Sequence, residues 1–248
     1  MNDVIRNLNN ATALESGFFA ETWSSKLYEA MAKQVMLKSE VDSKSATTVF
    51  PTSSIGSQLE MVTRIMQSRE TRGVKRDIFY VYDGGYDQHW NVDMALVNNF
   101  GRINAALAAF VSEVKLLNLW ESTTVVQFSE FARTLDPNSS DGSDHGWGGI
   151  HFMLGGSLNG GKVLGTYPDD FDQSSTNPLA LSRGRMIPKH PWDAMWLGTA
   201  QWFGVDTEEG MDKVLPMKKN FDQSLLYDAS ELFLSPLTAP GGDIESPA

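Results

Sequence analysis

The feature that most constrains this chain is one apolar stripe set between two β-prone runs. Leu96, Phe100, Ile103, Leu107, Phe110, Val114 and Leu117 alternate spacings of four and three, which stacks them on one face of a helix of about six turns. Before the stripe, Asp77 to Tyr82 reads DIFYVY; after it, Ser122 to Phe128 carries TTVVQF. A coiled-coil seam would use the same stripe, but a lone helix between two strand-like runs fits the crossover of a βαβ unit better. The two runs are therefore expected to lie parallel, the second buried on both faces.

The rest of the chain divides around this unit. Leu27, Met31 and Val35 predict a helix from about Ser24 to Lys38, followed by a polar linker over residues 39 to 53. Ser54 is a candidate N-cap for a second helix on Ile55, Leu59, Val62 and Met66, ending near Gly73. Beyond Phe128 come a glycine-rich loop, a short apolar run from Ile150 to Leu154, a loop-like stretch from Pro168 to Pro191 and an aromatic helix from Trp192 to Phe203. This predicts an N-terminal helix and linker over 1–54, one α/β domain over 55–234 and a disordered tail over 235–248, SPLTAPGGDIESPA.

Composition narrows the chemistry. With 248 residues, 41% of them apolar, the chain can bury a core as one large domain or two small ones. A net charge of -11 argues against nucleic acid, whose phosphates need a basic patch. No run approaches the length of a membrane span, and residues 1 to 16 show neither the basic nor the apolar region of an export signal. Cysteine is absent, so disulfides, thiolate nucleophiles and cysteine-ligated zinc are excluded, and any metal must be held by nitrogen and oxygen.

Such ligands occur in two clusters. The first strand-like run leads through glycines into Asp87-Gln88-His89, and Asp144-His145-Gly146 sits within the glycine-rich loop SDGSDHGWGG. An acid and an imidazole among glycines is how a loop presents metal ligands, because glycine lets the backbone fold tightly around an ion. Against this stands the plain reading in which Asp87 and Asp144 cap turns and the histidines are polar loop residues. Two such pairs in one chain favour the metal.

The succession SQLEMVTRIM, GGYDQH, VVQFSEFAR, GSDHGWGGIHFMLGG, NGGKVLGTYP and RGRMIP, with a helix ending WFGV, resembles the C-terminal half of a bacterial-type domain of unknown function. That family is usually placed in the alkaline phosphatase and sulfatase superfamily. The resemblance spans about residues 55 to 205, and its YDQH and DHGWGG blocks are the specific ones. It implies a doubly wound α/β fold, a mostly parallel sheet with helices on both faces, here without the N-terminal part. It also implies one or two divalent cations (zinc, manganese, magnesium or calcium), which would polarise a phosphoryl or sulfuryl oxygen, and an exported or periplasmic location.

On that resemblance Asp87 and His89 form one ligand pair. The remaining ligands align in two ways: Asp144 and His145 fill the acid-histidine position after a strand, or Ser129-Glu130-Phe131 fills it while Asp144 and His145 supply the later histidine. The second is preferred because Glu130 directly follows the strong strand, and it puts Phe131 where the superfamily has histidine. Ligands Asp87, His89, Glu130, Asp144 and His145 are then expected to converge, with Asp87, Glu130, His89 and His145 within about 8 Å.

Arg133 is the candidate to clamp an anion beside the metal, with a structural ion pair as its plain alternative. Trp147 is a candidate wall or stacking surface for substrate, or packing over the loop. Ser129 reads as a turn residue, Arg183 and Arg185 as solvated, His151 as a core histidine and His190 as exposed. The implied function is hydrolysis of an anionic phosphate or sulfate ester by a metal-dependent hydrolase-type domain. On the resemblance residues 1–54 lack the family's front half, so the chain alone is expected to be a poor catalyst or inactive, and a separate N-terminal half or an oligomer partner would complete it. The other reading is a non-catalytic metal-binding or structural module.

Overall fold

The structure, a computed structural model, describes residues 17–174 and 176–234 together with 4, 5 and 7. The expected tail over 235–248 lies outside the described residues. The first long helix, α1 (Phe18–Asp42), runs beyond both predicted ends and exposes Phe18, Phe19 and Trp23. Its last carbonyls are not left bare: Arg64 donates from Nη2 to Val41 O at 2.8 Å and from Nε to Lys44 O at 3.0 Å, filling acceptors that a helix end cannot satisfy itself.

Helix α2 (Ser54–Gln67) is capped by Ser53, one residue before the predicted cap, whose hydroxyl accepts from Gly56 N–H. Gly56 has no room for a side chain, since a Cβ there would strike the Pro51 carbonyl. A single turn, α3 (Arg69–Arg72), ends at Gly73 in the left-handed region at φ 64°. The apolar stripe forms α4 (Val92–Leu116).

The main core lies between α2 and α4, where Phe50, Ile55, Leu59 and Val62 meet Ala106, Ala109, Phe110 and Val114. Each large side chain buried there contributes about 1.5–3 kcal/mol. The stripe is only half used: Phe110 and Val114 are buried, while Phe100 is 59% exposed. By length and a mean hydropathy of 1.2 over its most apolar window, α4 is long and apolar enough to cross a membrane, against the sequence reading. Here its C-terminal half packs on the main core and carries a buried carboxylate, Glu113, that accepts from Thr47 and Thr48 N–H at 2.7–3.1 Å. Burial pushes that carboxyl upward, and the two N–H groups outweigh it, leaving its pKa lowered.

The expected parallel sheet is a correction. β1 (Thr124–Gln127) forms where the second run was read, but pairs antiparallel with β4 (Phe152–Gly155). β2 (Ala132–Pro137) pairs antiparallel with β3 (Ser143–Gly146), and β5 (Ala180–Leu181) with β6 (Arg185–Met186). Among the described residues the strands form only these short pairs, with one isolated antiparallel bridge between Leu158 and Phe233, and no doubly wound sheet.

Asp77 to Tyr82 is extended but joins no ladder. Its alternation is real, since Phe79 and Val81 pack on the main core while Ile78 and Tyr80 are exposed. The Gln58 amide takes the place of a strand neighbour, accepting from Tyr82 N–H at 3.0 Å and donating to Tyr82 O at 2.8 Å. Alternation fixes which face turns inward and leaves the pairing partner open.

Beyond β4, α5 (Asp193–Phe203), α6 (Glu208–Val214) and α7 (Ala229–Leu232) surround two smaller clusters. Ala200, Met211 and Leu215 form one; Trp202, Leu232 and Phe233 form the other, against which Met153 of β4 packs.

Candidate metal centre

The first ligand segment is a loop held onto α4. Arg102 donates to Asp83 Oδ2 at 2.8 Å and to Asn99 Oδ1 at 2.9 Å, and Tyr86 OH donates to the same Asp83 oxygen at 2.7 Å. Burial and the Asp83 carboxylate push the Tyr86 phenol well above its ordinary pKa. Asn99, buried, donates to Gly85 O. These bonds aim Asp87 and His89 away from the helix and toward the β2–β3 hairpin.

The hairpin closes over the loop. Gly142 lies so near the His89 carbonyl that no Cβ fits, Asn138 Nδ2 donates to His89 O at 2.9 Å, and Val92 N–H donates to Asp141 O at 3.0 Å. In the ladder, Arg133 faces His145. Arg133 then ties the two segments: Nη1 donates to Ser143 O at 2.7 Å, and Nη2 to Tyr86 O at 2.7 Å and Asp87 Oδ1 at 2.8 Å.

Asp87, His89 and His145 converge, with one ligand atom from each within 4.8 Å of the others. Asp87 Oδ1 lies 2.9 Å from His89 Nε2 and 2.7 Å from His145 Nε2. The hydrogen bond with His145, the bond from Arg133 and the nearby His89 hold the Asp87 carboxyl below its ordinary pKa. Asp144 stands behind His89: its Oδ1 is 3.2 Å from His89 Nδ1, and Arg183 pairs with its Oδ2. Asn138, His89 and Arg183 lower the Asp144 pKa.

An imidazole that gives its Nδ1 proton to a carboxylate presents the Nε2 lone pair outward, the usual dress of a metal-bound histidine. The second imidazole is held flat, because Phe131 stacks on His145 at 3.9 Å and 6°. Donors of a tetrahedral zinc are ~3.3 Å apart, from bond lengths of ~2.0–2.1 Å; Asp87 Oδ1 is nearer than that to both imidazoles, at 2.7 and 2.9 Å, and the three ligand atoms lie within 4.8 Å of one another. Two nitrogens and one oxygen fit such an ion.

Four of the five expected ligands are thus brought together, three at the centre and Asp144 behind them. Glu130 is exposed just before β2 and is not in the group. Trp147, 61% exposed, follows Gly146 two residues after His145. His151 is half-buried, edge-on to Trp192 at 5.1 Å with Nδ1 unpartnered, and burial lowers its pKa. His190, expected exposed, is half-buried and stacks on Tyr227.

Arg183 and Arg185, expected to be solvated, are respectively exposed and half-buried, and each also bonds into the cluster. Arg185 Nε donates to His145 O at 3.1 Å. Both sit at the β5–β6 hairpin, far along the chain from the other site residues, and only the hairpin's packing on β2 reveals them. Gly184, left-handed at φ 68°, presses against Leu135 with no room for a Cβ.

Compared with known proteins, residues 4–182 match the family described as a protein of unknown function, DUF1501. No curated protein and no solved structure matches the chain. The expected placement in the alkaline phosphatase and sulfatase superfamily is corrected: the family that matches carries no assigned function and no link to that superfamily, and the antiparallel pairs are not that superfamily's sheet.

Proposed function

Since the chain belongs to that family of unknown function, its chemistry has to be read from the site, and we propose a metal-dependent hydrolase-type protein acting on a phosphate or sulfate ester. The observation that carries this reading is the convergence of Asp87 Oδ1, His89 Nε2 and His145 Nε2 on one point. Asp87, His89 and His145 would hold the cation, preferably zinc for a donor set of two imidazoles and a carboxylate, with a fourth position open. The cation would supply Lewis-acid polarisation of the ester oxygen and a nucleophile at neutral pH.

The chain's own residues do the positioning. Asp144 fixes the tautomer and direction of His89, Phe131 fixes the plane of His145, and Arg133 keeps Asp87 on the hairpin. Trp147, exposed two residues after His145, would offer an aromatic surface to the organic part of the ester.

The test is a melting curve with zinc, manganese, magnesium or calcium, followed by turnover of aryl phosphate and aryl sulfate. A ligand held at about a hundred times its Kd stabilises the folded state by ~2.7 kcal/mol, so zinc should raise the melting temperature and His89→Ala should abolish the gain. Curves unmoved by all four ions would refute the reading. Zinc binding without turnover of either ester would select a metal-binding module instead.

A further inference from the structure

Of the three arginines around the centre, Arg133 is the one that the sequence puts forward to grip an anion. Its plain alternative is a structural ion pair, and its bonds are of that kind. It spends its donors on Ser143 O, Tyr86 O and Asp87 Oδ1, and its side chain is 23% exposed. Arg185 gives Nε to His145 O and Nη1 to Ser182 O. Arg183 differs. Among the described residues its one partner is Asp144, through Nη1, and its side chain is 46% exposed.

The backbone at this guanidinium is itself unusual. Arg183 has φ 66° and ψ 28°, a left-handed conformation unusual for a residue with a side chain. The turn is pinned from both sides: Gly184 N–H donates to Gln173 Oε1 at 2.9 Å, Gln173 in turn bonds Asp136 of β2, and Gly184 packs on Leu135. The strained residue is therefore the tip of a braced hairpin, aimed at the carboxylate that orients His89. Arg133 pairs with Asp87 and Arg183 with Asp144, while Arg185 bonds only backbone carbonyls, so the arginine with the most donors left over beside the cluster is Arg183.

We propose that Arg183 is the anion-binding residue of this centre, using its uncommitted N–H donors to hold two oxygens of a tetrahedral oxyanion, while Arg133 is a positioning residue for Asp87. A guanidinium fork matches phosphate and sulfate oxygens in pairs. The assignment rests on the reading of Asp87, His89 and His145 as a zinc centre acting on a phosphate or sulfate ester, and it names the group that recognises the ester's charge.

The test is calorimetric titration of the full chain, first with zinc alone, then with inorganic phosphate and, separately, sulfate at saturating zinc. Arg183→Gln should keep zinc affinity and lose oxyanion affinity by about tenfold or more, the scale of a charge-assisted hydrogen bond; Arg183→Lys should recover part of it. Arg133→Gln should do the reverse, weakening zinc while retaining the oxyanion once zinc is saturating. Phosphate and sulfate binding equal in Arg183→Gln and wild type would overturn the assignment, as would an equal loss in both glutamine variants. If wild type takes no zinc, the hydrolase reading fails by itself. The same anion titrations of the zinc-free variants then decide Arg183, which stands only if its replacement alone weakens binding.

Discussion

Between α2 and α4 the contact is made of carbon, with Phe110 and Val114 closed in by Ile55, Leu59 and Val62. Around His89 it is made of nitrogen and oxygen: Asp87, Asp144, Asn138 and Arg133 meet across loops and a six-residue strand, and both Asp87 and His145 stay exposed. The first region gains its stability from water leaving apolar surface. The second exchanges hydrogen bonds to water for hydrogen bonds to protein, a much smaller net gain for each bond. The chain thus rests on one region and leaves the other partly open to solvent.

The sharpest way to break this contrast is to truncate the core. Phe110→Ala removes a ring that is 3% exposed, and should cost about 3–5 kcal/mol in urea unfolding, since a cavity is added to the lost transfer energy. His145→Ala in metal-free protein should cost far less, as its imidazole lies at the surface. Equal losses would show that the centre, too, supports the fold.

The same contrast explains what could be read from sequence. Helical spacing gave α2 and α4 because apolar periodicity is a local property, and Phe110 and Val114 fell on the buried face as expected. It could not show that Phe100 would be left exposed or that Ile78 and Tyr80 would face outward without a strand partner, because neighbours across space decide that. The centre was legible as two acid-histidine pairs, since Asp87, His89, Asp144 and His145 do meet. Arg183 was not, because its part depends on one left-handed residue and a hairpin packed against β2. The parallel sheet was expected from a resemblance and from two β-prone runs, neither of which specifies who pairs with whom.

A polar residue inside the apolar region sharpens the comparison further. Glu113 is 1% exposed and its carboxylate is the acceptor for two backbone N–H groups. Glu113→Gln keeps the shape but replaces one accepting oxygen by a donor facing those N–H groups, at a cost of about 1–3 kcal/mol. Thermal unfolding should place this variant between Phe110→Ala and His145→Ala. A loss no greater than that of His145→Ala would mean that the segment at Thr47 and Thr48 adds nothing to the core.

The smallest expected effect belongs to Asp144, and pH gives it a distinct sign. Its bonds from Asn138 and His89 and its pairing with Arg183 favour the ionised form, so the folded-state pKa lies below the unfolded one. A carboxyl of that kind contributes stability that is fully present above the unfolded value of about 3.9 and is lost as pH falls through the lower, folded value. Asp144→Asn cannot ionise. In metal-free protein wild type should therefore be the more stable at neutral pH, and the two urea midpoints should draw together as the solution is made strongly acidic. Because the carboxylate is partly open to solvent, the gap should also narrow at about 1 M salt, where charges are screened beyond ~3 Å. A gap that persists unchanged through acid and salt would mean that Asp144 acts by shape and hydrogen bonding alone, and that its charge does not steady His89.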